Sequence, residues 1–195
     1  MQANLPIKVA LFASGSGTNA QKIFEYFKDH TEIRIAMLLS NNPDAYALTR
    51  AQSFGIPTRV FTKAEFNDPN CIVQELKDAG IQWVVLAGFL WLIPAHLIRA
   101  FPTSMLNIHP ALLPKFGGKG MYGMKVHAAV KDTGETQTGI TIHKVNEEYD
   151  KGEIVFQGFC DVLSDDTPEG IAQKVHELEY LHFPIVIEEQ IKRSL

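Results

Sequence analysis

The sequence is poor in cysteine and has no long apolar run, and each shortage excludes a class of protein. Its 195 residues include 2 cysteines, Cys71 and Cys160, which lie far apart and outside any C-x-x-C spacing. Neither a disulfide framework nor a thiolate zinc site is indicated, and a reducing cytoplasm fits best. No apolar run approaches the roughly 20 residues that span a membrane, and the first residues lack the pattern of a signal peptide. We therefore expect a cytoplasmic protein that is neither exported nor anchored.

Excess positive charge is also missing. The formal net charge is −4 and the pI is about 6.0, which gives no electrostatic footprint for nucleic acid or for an anionic membrane. Any anionic ligand must therefore be held by a local site. With 46% apolar residues, the chain has enough material for one core, and we expect a single domain over residues 1–195.

Apolar runs alternate with helical patterns through the first half of the chain. The predicted strand and helix pairs are Ile7–Ala13 with Thr18–His30, Ile33–Leu39 with Ala45–Phe54, Thr58–Phe61 with Cys71–Ala79, and Trp83–Ala87 with Ala95–Ala100. Helix one has an apolar period in Ala20, Ile23, Phe24 and Phe27. Strands that are apolar on both faces suit a parallel sheet covered by helices on both sides. This pattern predicts an open, three-layer, Rossmann-like α/β fold.

The pattern changes after Pro110. A glycine-rich loop over 116–123 precedes a short helix around Lys125–Lys131. The runs Thr136–Val145 and Ile154–Val162 are too close together for a crossover helix, so we expect them to pair antiparallel and make the sheet mixed, though mostly parallel. A final helix is predicted over Pro168–Ile191, with Thr167 as N-cap. Its expected buried stripe is Ile171, Val175, Leu178 and Leu181.

The segment Ala13–Ala20 is a glycine-rich turn between strand one and helix one. Backbone N–H groups and the helix dipole converge there, which favours an anion, and we expect a phosphate monoester. The alternative is a tight turn closed by a Thr or Asn cap. The turn also fits the pattern G-x-G-x-x-A. This leaves two alternatives, a dinucleotide-binding oxidoreductase and a non-catalytic nucleotide-binding module. Strand two ends without the acidic residue that binds an adenosine ribose, although Asp44 is near, and this argues against the oxidoreductase.

Asn107 and His109 lie at the end of a predicted strand, where doubly wound sheets bind ligands. Residues two apart on a strand point to the same side, so the amide and the imidazole can face one substrate atom. Asp150 lies in the connection between the late strands, and a carboxylate beside His109 would raise the pKa of that imidazole. The alternatives are a turn cap for Asn107, a backbone hydrogen bond for His109 and a solvated Asp150.

The remaining histidines point less clearly to function. His143 alternates with Thr141 on the polar side of its strand and can line the cleft or be a half-buried strand residue. His127 is more typical of a structural residue. A metal hydrolase built from His109, His127, His143 and Asp150 is a further alternative, but no ligand spacing supports it.

Four segments together carry a resemblance: Ser14–Asn19, Leu86–Phe89, Asn107–Phe116 and Asp150–Gly152. With them the chain resembles the folate-dependent formyltransferases over nearly its whole length. The motif N-I-H-P-x-L-L-P within Asn107–Phe116 is specific to that wider group. The glycine-rich turn is similar to that of the branch that uses glycinamide ribonucleotide in purine synthesis.

The resemblance implies roles for three groups of residues. The implied catalytic trio is Asn107, His109 and Asp150. The implied ribonucleotide contacts are Gly17, Thr18 and Asn19 for the phosphate, and His176 and Glu179 for the glycinamide and ribose. The implied folate contacts are Leu90, Trp91, Leu92, Ile93, Asn146, Glu147, Glu148 and Tyr149. Trp91 stands where some members carry Arg, so the folate contact there differs or uses the backbone. The glycine-rich loop replaces a Pro-Gly-led one.

The implied reaction moves the formyl group of 10-formyltetrahydrofolate, a co-substrate, to the substrate amine through a tetrahedral oxyanion. Asn107 and a protonated His109 would stabilise that oxyanion, and Asp150 would relay the proton. The resemblance implies no metal, no tightly bound cofactor and no nucleic-acid partner, in a monomer or weak homodimer. Two rivals share this chemistry: formyltetrahydrofolate hydrolase, expected to carry an added amino-terminal domain, and methionyl-tRNA formyltransferase, expected to carry an added carboxyl-terminal RNA-binding domain.

Overall fold

The protein is described by a computed structural model over residues 5–195. Its strands are β1 Ile7–Phe12, β2 Ile33–Ser40, β3 Thr58–Val60, β4 Trp83–Leu86, β5 Met105–His109, β6 Gln137–Lys144 and β7 Ile154–Asp161. Its helices are α1 Thr18–Phe27, α2 Tyr46–Ser53, α3 Lys63–Asn67, α4 Ile72–Asp78, α5 Ala95–Ala100, α6 Met124–Asp132 and α7 Pro168–Arg193. Every predicted helix and strand is present, and no boundary differs by more than three residues.

The seven strands form one open sheet in the order β3-β2-β1-β4-β5-β6-β7. Strands β1 to β5 pair in parallel, whereas β6 pairs antiparallel with both β5 and β7. The expected mixed, mostly parallel sheet is confirmed. Because β1 lies between β2 and β4, the strand order reverses at β1 and β4, and ligands bind such sheets at this point.

The sheet is covered on both faces, as its apolar strands require. One core packs α1, α2, α6 and α7 against the sheet, with Phe24 and Phe183 among its buried side chains. The opposite core packs α3, α4 and α5, with Phe66 and Leu76 buried. The three-layer prediction is therefore confirmed. The four apolar residues predicted for the inner face of α1 are all buried.

Two details differ from the sequence-based expectations. Helix α3 is an additional element, and it begins with a capping box in which Thr62 and Glu65 satisfy each other's backbone N–H groups. Leu181 was expected in the buried stripe of α7, but its side chain is 58% exposed. The buried stripe runs instead through Val175, Glu179 and Phe183, which leaves Leu181 on the opposite side of the helix. Over residues 5–195, no helix is both long enough and apolar enough to cross a membrane.

Candidate active site

A cleft of about 600 Å³ opens at the carboxyl ends of β1, β4 and β5. It lies beside the point where the strand order reverses, as expected for an open α/β sheet. Four segments contribute most of its wall, and single residues of α6 and α7 complete it. The lining includes Gly15–Asn19, Ala87–Leu90, Asn107–Pro110, Gly118–Gly123, His127, Tyr149, Asp150, His176 and Glu179.

The glycine-rich turn presents the bare amino terminus of α1 to this cleft. The N-cap is Gly17, and no side chain caps the helix, so the alternative of a Thr or Asn cap is not what forms. Gly17 has a φ of 71°, and a Cβ there would lie 2.5 Å from the Cβ of Ala47. Glycine is therefore required both by the backbone and by the packing of α2. The free N–H groups and the helix dipole make this turn suitable for an anion.

Glu179 is a buried carboxyl group next to this turn. Its side chain accepts a hydrogen bond from the Asn19 amide, with Nδ2 2.9 Å from Oε2, and the residue is only 6% exposed. Burial raises the pKa of Glu179 to about 7, although the Asn19 hydrogen bond opposes this. His176, one turn earlier on α7, also lines the cleft. All five residues that resemble ribonucleotide contacts therefore face a single cavity.

Asn107 is oriented by a histidine on the neighbouring strand. The antiparallel register of β5 and β6 sets Asn107 opposite His143, and the Asn107 Nδ2 is 3.0 Å from the His143 Nε2. The His143 Nδ1 is 2.8 Å from the Lys144 carbonyl oxygen. Because a carbonyl only accepts, Nδ1 carries a hydrogen, and in the neutral ring Nε2 accepts from the amide. One Asn107 N–H is thereby fixed, and the other makes only a long contact, 3.5 Å, with the Asp150 Oδ1.

Asp150 joins this pair to His109, although the three residues come from different segments. Its Oδ2 lies 3.5 Å from the His109 Nδ1, and its Oδ1 lies 3.5 Å from the Asn107 Nδ2. The backbone of Asp150 has a left-handed φ of 55°, and its Oδ2 accepts the Gly118 N–H at 2.8 Å. The amide, imidazole and carboxylate that the family resemblance grouped thus lie within a few ångströms of one another.

The sequence predicted a raised pKa for His109, and this prediction is wrong. Burial lowers the pKa of His109 below its ordinary value, and it outweighs both Asp150 and the Phe116 carbonyl, which act in the opposite direction. The ring is 4% exposed, so a charged imidazolium would be poorly solvated. Its Nε2 donates to the Phe116 carbonyl at 2.7 Å. For Asp150, burial raises the pKa, but His143, His109 and the Gly118 N–H together lower it below its usual range.

The predicted folate contacts fall into two groups. Leu90 and Tyr149 line the cleft. Trp91 instead packs into an aromatic cluster with Phe61 and Phe66, and the Lys63 Nζ lies 4.2 Å from its ring centroid. The other predicted contacts are not part of the cleft wall. Leu92 is 41% exposed and Ile93 is buried. In the connection between β6 and β7, Asn146 is half-buried, and Glu147 and Glu148 are exposed.

Two histidines have larger parts in the site than the sequence suggested. His143 contacts the predicted trio, and its only advance signal was its alternation with Thr141. His127 was expected to be structural, yet it lines the cleft, is 2% exposed and has a buried Nδ1 with no partner in residues 5–195. Burial first, and then His176 and His109, lower the pKa of His127 to about 4. In that same range, no group of three or more His, Cys, Asp or Glu is arranged to hold a metal ion.

An open α/β sheet with an amide, an imidazole and a carboxylate beside an uncapped helix terminus has the groups that a group-transfer enzyme needs. The model of the family described as "Formyl transferase" matches residues 7–187. The chain therefore belongs to the formyl transferase family, which confirms the resemblance drawn from its motifs.

The relatives narrow the position of the chain within that family. It is 46% identical to the chloroplastic phosphoribosylglycinamide formyltransferase of Arabidopsis thaliana, over 95% of this chain and 67% of that protein. It is 34% identical to the phosphoribosylglycinamide formyltransferase of Bacillus subtilis, over 93% of each. The crystal structure of phosphoribosylglycinamide formyltransferase from Bacillus halodurans superposes with a TM-score of 0.86 at 30% identity, covering 96% of this chain and 97% of that one.

Proposed function

We propose that this protein transfers the formyl group of 10-formyltetrahydrofolate to the amine of phosphoribosylglycinamide in purine biosynthesis. The observation that carries the proposal is the meeting of Asn107, His109 and Asp150 in the same cleft as the uncapped turn at Gly17. Formyl transfer requires a donor for an oxyanion and a proton carrier, and the turn suits the phosphate of the acceptor. Family membership and the names of the relatives support the same reaction.

The first step is attack of the substrate amine on the formyl carbon. A new C–N bond forms while the carbonyl oxygen becomes an oxyanion. We assign its stabilisation to the second Asn107 N–H and to the His109 Nε2–H. The first would exchange its long Asp150 contact for the oxyanion, and the second would exchange the Phe116 carbonyl for it. Because burial lowers the pKa of His109, the neutral ring is the donor at pH 7. Fixed donors at a developing charge are among the largest contributions to catalysis.

The second step expels the folate nitrogen. The amine loses a proton after the attack, and the folate nitrogen must gain one as its bond to the formyl carbon breaks and the carbonyl re-forms. We assign this transfer, through water, to Asp150, whose lowered pKa keeps it ionised and ready to accept a proton. His143 is a positioning residue in this scheme, since it contacts Asn107 and lies 3.6 Å from the Asp150 Oδ1.

The substrate contacts follow from the position of each residue. Gly17, Thr18 and Asn19 would hold the phosphate, and His176 with Glu179 would contact the ribose and glycinamide. Leu90 and Tyr149 have direct access to the cleft and would bind the pterin, while Trp91, Leu92, Ile93 and the segment 146–148 would shape that site from behind or at its rim. Neither a metal nor a tightly bound cofactor is needed for these steps.

The wider setting of the enzyme is part of the same proposal. We propose that residues 1–195 form a single formyltransferase domain that acts in the cytoplasm as a monomer or weak homodimer. Its partners are two small molecules, and no nucleic acid or membrane takes part. The name of the Arabidopsis relative includes "chloroplastic", so localisation of the tagged protein in its own cell is a direct check. Sedimentation at several concentrations checks the oligomeric state.

The test is an absorbance assay for loss of the formyl group from 10-formylfolate, with and without phosphoribosylglycinamide. A transferase loses the formyl group only when the ribonucleotide is present. Loss at the same rate in its absence would identify a hydrolase and overturn the proposal. Binding of a nicotinamide dinucleotide without formyl transfer would favour the oxidoreductase alternative.

A further inference from the structure

The glycine-rich loop between Phe116 and α6 carries a feature that the reaction scheme does not use. The Met121 N–H donates to the Gly118 carbonyl at 3.1 Å, which closes a four-residue turn. Lys119 and Gly120 occupy its two central positions, and Gly120 has a φ of 89°, the conformation that glycine permits there. The turn therefore presents Lys119 at its tip, and Lys119 lines the cleft.

This turn is fixed to the catalytic side of the cleft. The Gly118 N–H is held by the Asp150 carboxylate at 2.8 Å. A Cβ on Gly117 would lie 2.5 Å from the Leu113 Cδ2 and 3.3 Å from the Asp150 Cβ, so the loop packs tightly at its base. Further on, a Cβ on Gly118 or Gly120 would meet nothing within 4 Å. The base of the loop is anchored, and its tip is open to the cleft.

Lys119 supplies a charge that the rest of the cleft lacks. Within residues 5–195, it is the single Lys or Arg that lines the cavity, whereas Asp150 and Glu179 are acidic. Lys119 makes no ion pair with any residue of the described range 5–195. Arg50 is near the turn, but it contacts the Ser16 carbonyl and is not part of the cleft wall. The chain has a net charge of −4, and Lys119 is the lysine that can pair with an anion in this cavity.

The loop shares the cavity with the glycine-rich turn and is followed by α6. It runs into α6, where the His127 ring packs edge-on against His176 with centroids 6.3 Å apart. Glu179 follows His176 by one turn of α7 and is bonded to Asn19 in the first turn of α1. Contacts of α6 with α7 and of α7 with α1 thus link the helix that follows the loop to the proposed phosphate site.

We infer that Lys119 is a binding residue for the phosphate of the ribonucleotide and works together with the α1 turn. The inference rests on the proposed function and adds a residue to it. The other anion in the reaction is the glutamate carboxylate of the folate, which shares the same chemistry, so the experiment must separate the two sources. An exposed lysine against a phosphate is worth about tenfold in affinity, and salt screens it.

Calorimetric titration tests this with three ligands: phosphoribosylglycinamide, the corresponding riboside without phosphate, and 10-formylfolate. Lys119→Ala is expected to weaken ribonucleotide binding about tenfold and to leave the affinity for the riboside and the folate unchanged, while Lys119→Arg retains binding. Lys115→Ala is the matched control. Lys115 lies four residues earlier, is paired with Glu135 at 2.8 Å and is outside the cleft wall, so its loss should not change any of the three affinities.

The outcomes distinguish the role of Lys119 from the proposed formyl transfer. A parent protein that binds the ribonucleotide with the same affinity as Lys119→Ala overturns the role of Lys119 alone. A loss of affinity confined to 10-formylfolate also overturns it and assigns the lysine to the glutamate carboxylate. A parent protein that binds none of the three ligands overturns the proposed function, and the inference with it. Unfolding midpoints of the variants establish that each is folded.

Discussion

At the scale of the residue, the site depends on hydrogen-bond donors whose direction is fixed by neighbours rather than by the substrate. His143 holds one Asn107 N–H at 3.0 Å, and the Lys144 carbonyl sets the His143 ring. An amide held in this way does not have to reorient when negative charge develops, and this preorganisation is what makes an oxyanion site effective.

Removal of Asn107 is therefore expected to slow turnover strongly. Asn107→Ala should lower kcat about 100-fold or more, because one oxyanion donor is lost. Asn107→Asp keeps the size of the side chain but replaces the donor with a charge about 3.5 Å from Asp150, and its loss should be at least as large. The measurement is kcat in the formyl-transfer assay. Asn70→Ala, in the loop before α4, is the control, and near-parental turnover of Asn107→Ala would remove Asn107 from the catalytic group.

The buried carboxyl group of Glu179 predicts how the free energy of unfolding depends on pH. Burial raises its pKa from the ordinary value of 4.5 to about 7 in the folded protein. Because the folded pKa is raised, the folded state binds the proton more tightly, and this contribution to stability is complete below pH 4.5. It is lost as the pH rises towards and through about 7. Glu179→Gln cannot ionise and still accepts from Asn19.

The variant should therefore become more stable than the parent as the pH rises. We expect little difference in the free energy of unfolding at pH 4.5 and a gain of about 2–3 kcal/mol for Glu179→Gln at pH 8. Urea unfolding at the two pH values provides the measurement. A difference between the two proteins that does not change with pH would mean that Glu179 ionises in the folded protein as freely as in the unfolded one.

At the scale of the element, the pairing of strands decides which residues reach the site. A period of two along β5 was enough to predict that Asn107 and His109 share a direction. The register of β5 against β6, which sets His143 opposite Asn107, depends on long-range pairing that no local pattern encodes. The position of Asp150 depends in addition on a left-handed backbone conformation. Asparagine and aspartate tolerate this conformation, but their presence does not predict it. For these reasons, His143 and Asp150 could not be connected to the pair without the fold or a resemblance.

In the connection between β6 and β7, Gly152 packs closely against the end of β6, next to the His143 ring of the site. A Cβ on Gly152 would lie 1.6 Å from the Lys144 carbonyl oxygen and 3.2 Å from the His143 Nδ1. Gly152→Ala must therefore shift the end of β6 and with it the ring that orients Asn107. We expect a loss of about 1–3 kcal/mol in unfolding free energy, with a fall in kcat as well, both measured on the purified variant.

Gly170→Ala is the matched control for that prediction. A Cβ on Gly170 would meet only side-chain oxygens at 3.7 Å, and the residue lies in the first turn of α7. Alanine is the better helix former, so this substitution should be neutral or stabilising by up to about 1 kcal/mol. If Gly152→Ala behaved in the same way, the close approach of the connection to β6 would not be a constraint on the fold.

At the scale of the whole molecule, alternation of apolar runs and helical patterns was sufficient to predict the three layers, and the short connection between the last two strands predicted the mixed sheet. Parallel strands that are buried on both faces must be apolar throughout, and this leaves a clear signal in the sequence. The short helix α3 and the exposed Leu181 were harder to predict. The five residues of α3 give too few helical periods to detect. The buried face of α7 includes a carboxyl residue, Glu179, and leaves Leu181 outside, so its apolar pattern alone does not identify that face.

The same architecture buries histidines in the cleft wall, and we expect this to make the folded protein sensitive to acid. His127 is 2% exposed, and its pKa is lowered from 6.5 to about 4, chiefly by burial. Between these two values the unfolded chain takes up a proton that the folded protein excludes, so the unfolded state binds more protons. By linkage, the free energy of unfolding falls as the pH drops through this window, and it is unaffected by this group above pH 6.5.

His127→Gln should remove that part of the acid sensitivity. In urea unfolding at pH 7.5 and pH 5, the variant is expected to lose about 2 kcal/mol less stability than the parent between the two pH values. The comparison is of two differences, so any effect of the substitution itself that does not depend on pH cancels. The contributions of His109 and His176, whose pKa values burial also lowers, remain in both proteins and cancel likewise. Equal losses in parent and variant would show that His127 accepts a proton in the folded protein, and the cleft wall would then be more open to water than its 2% exposure implies.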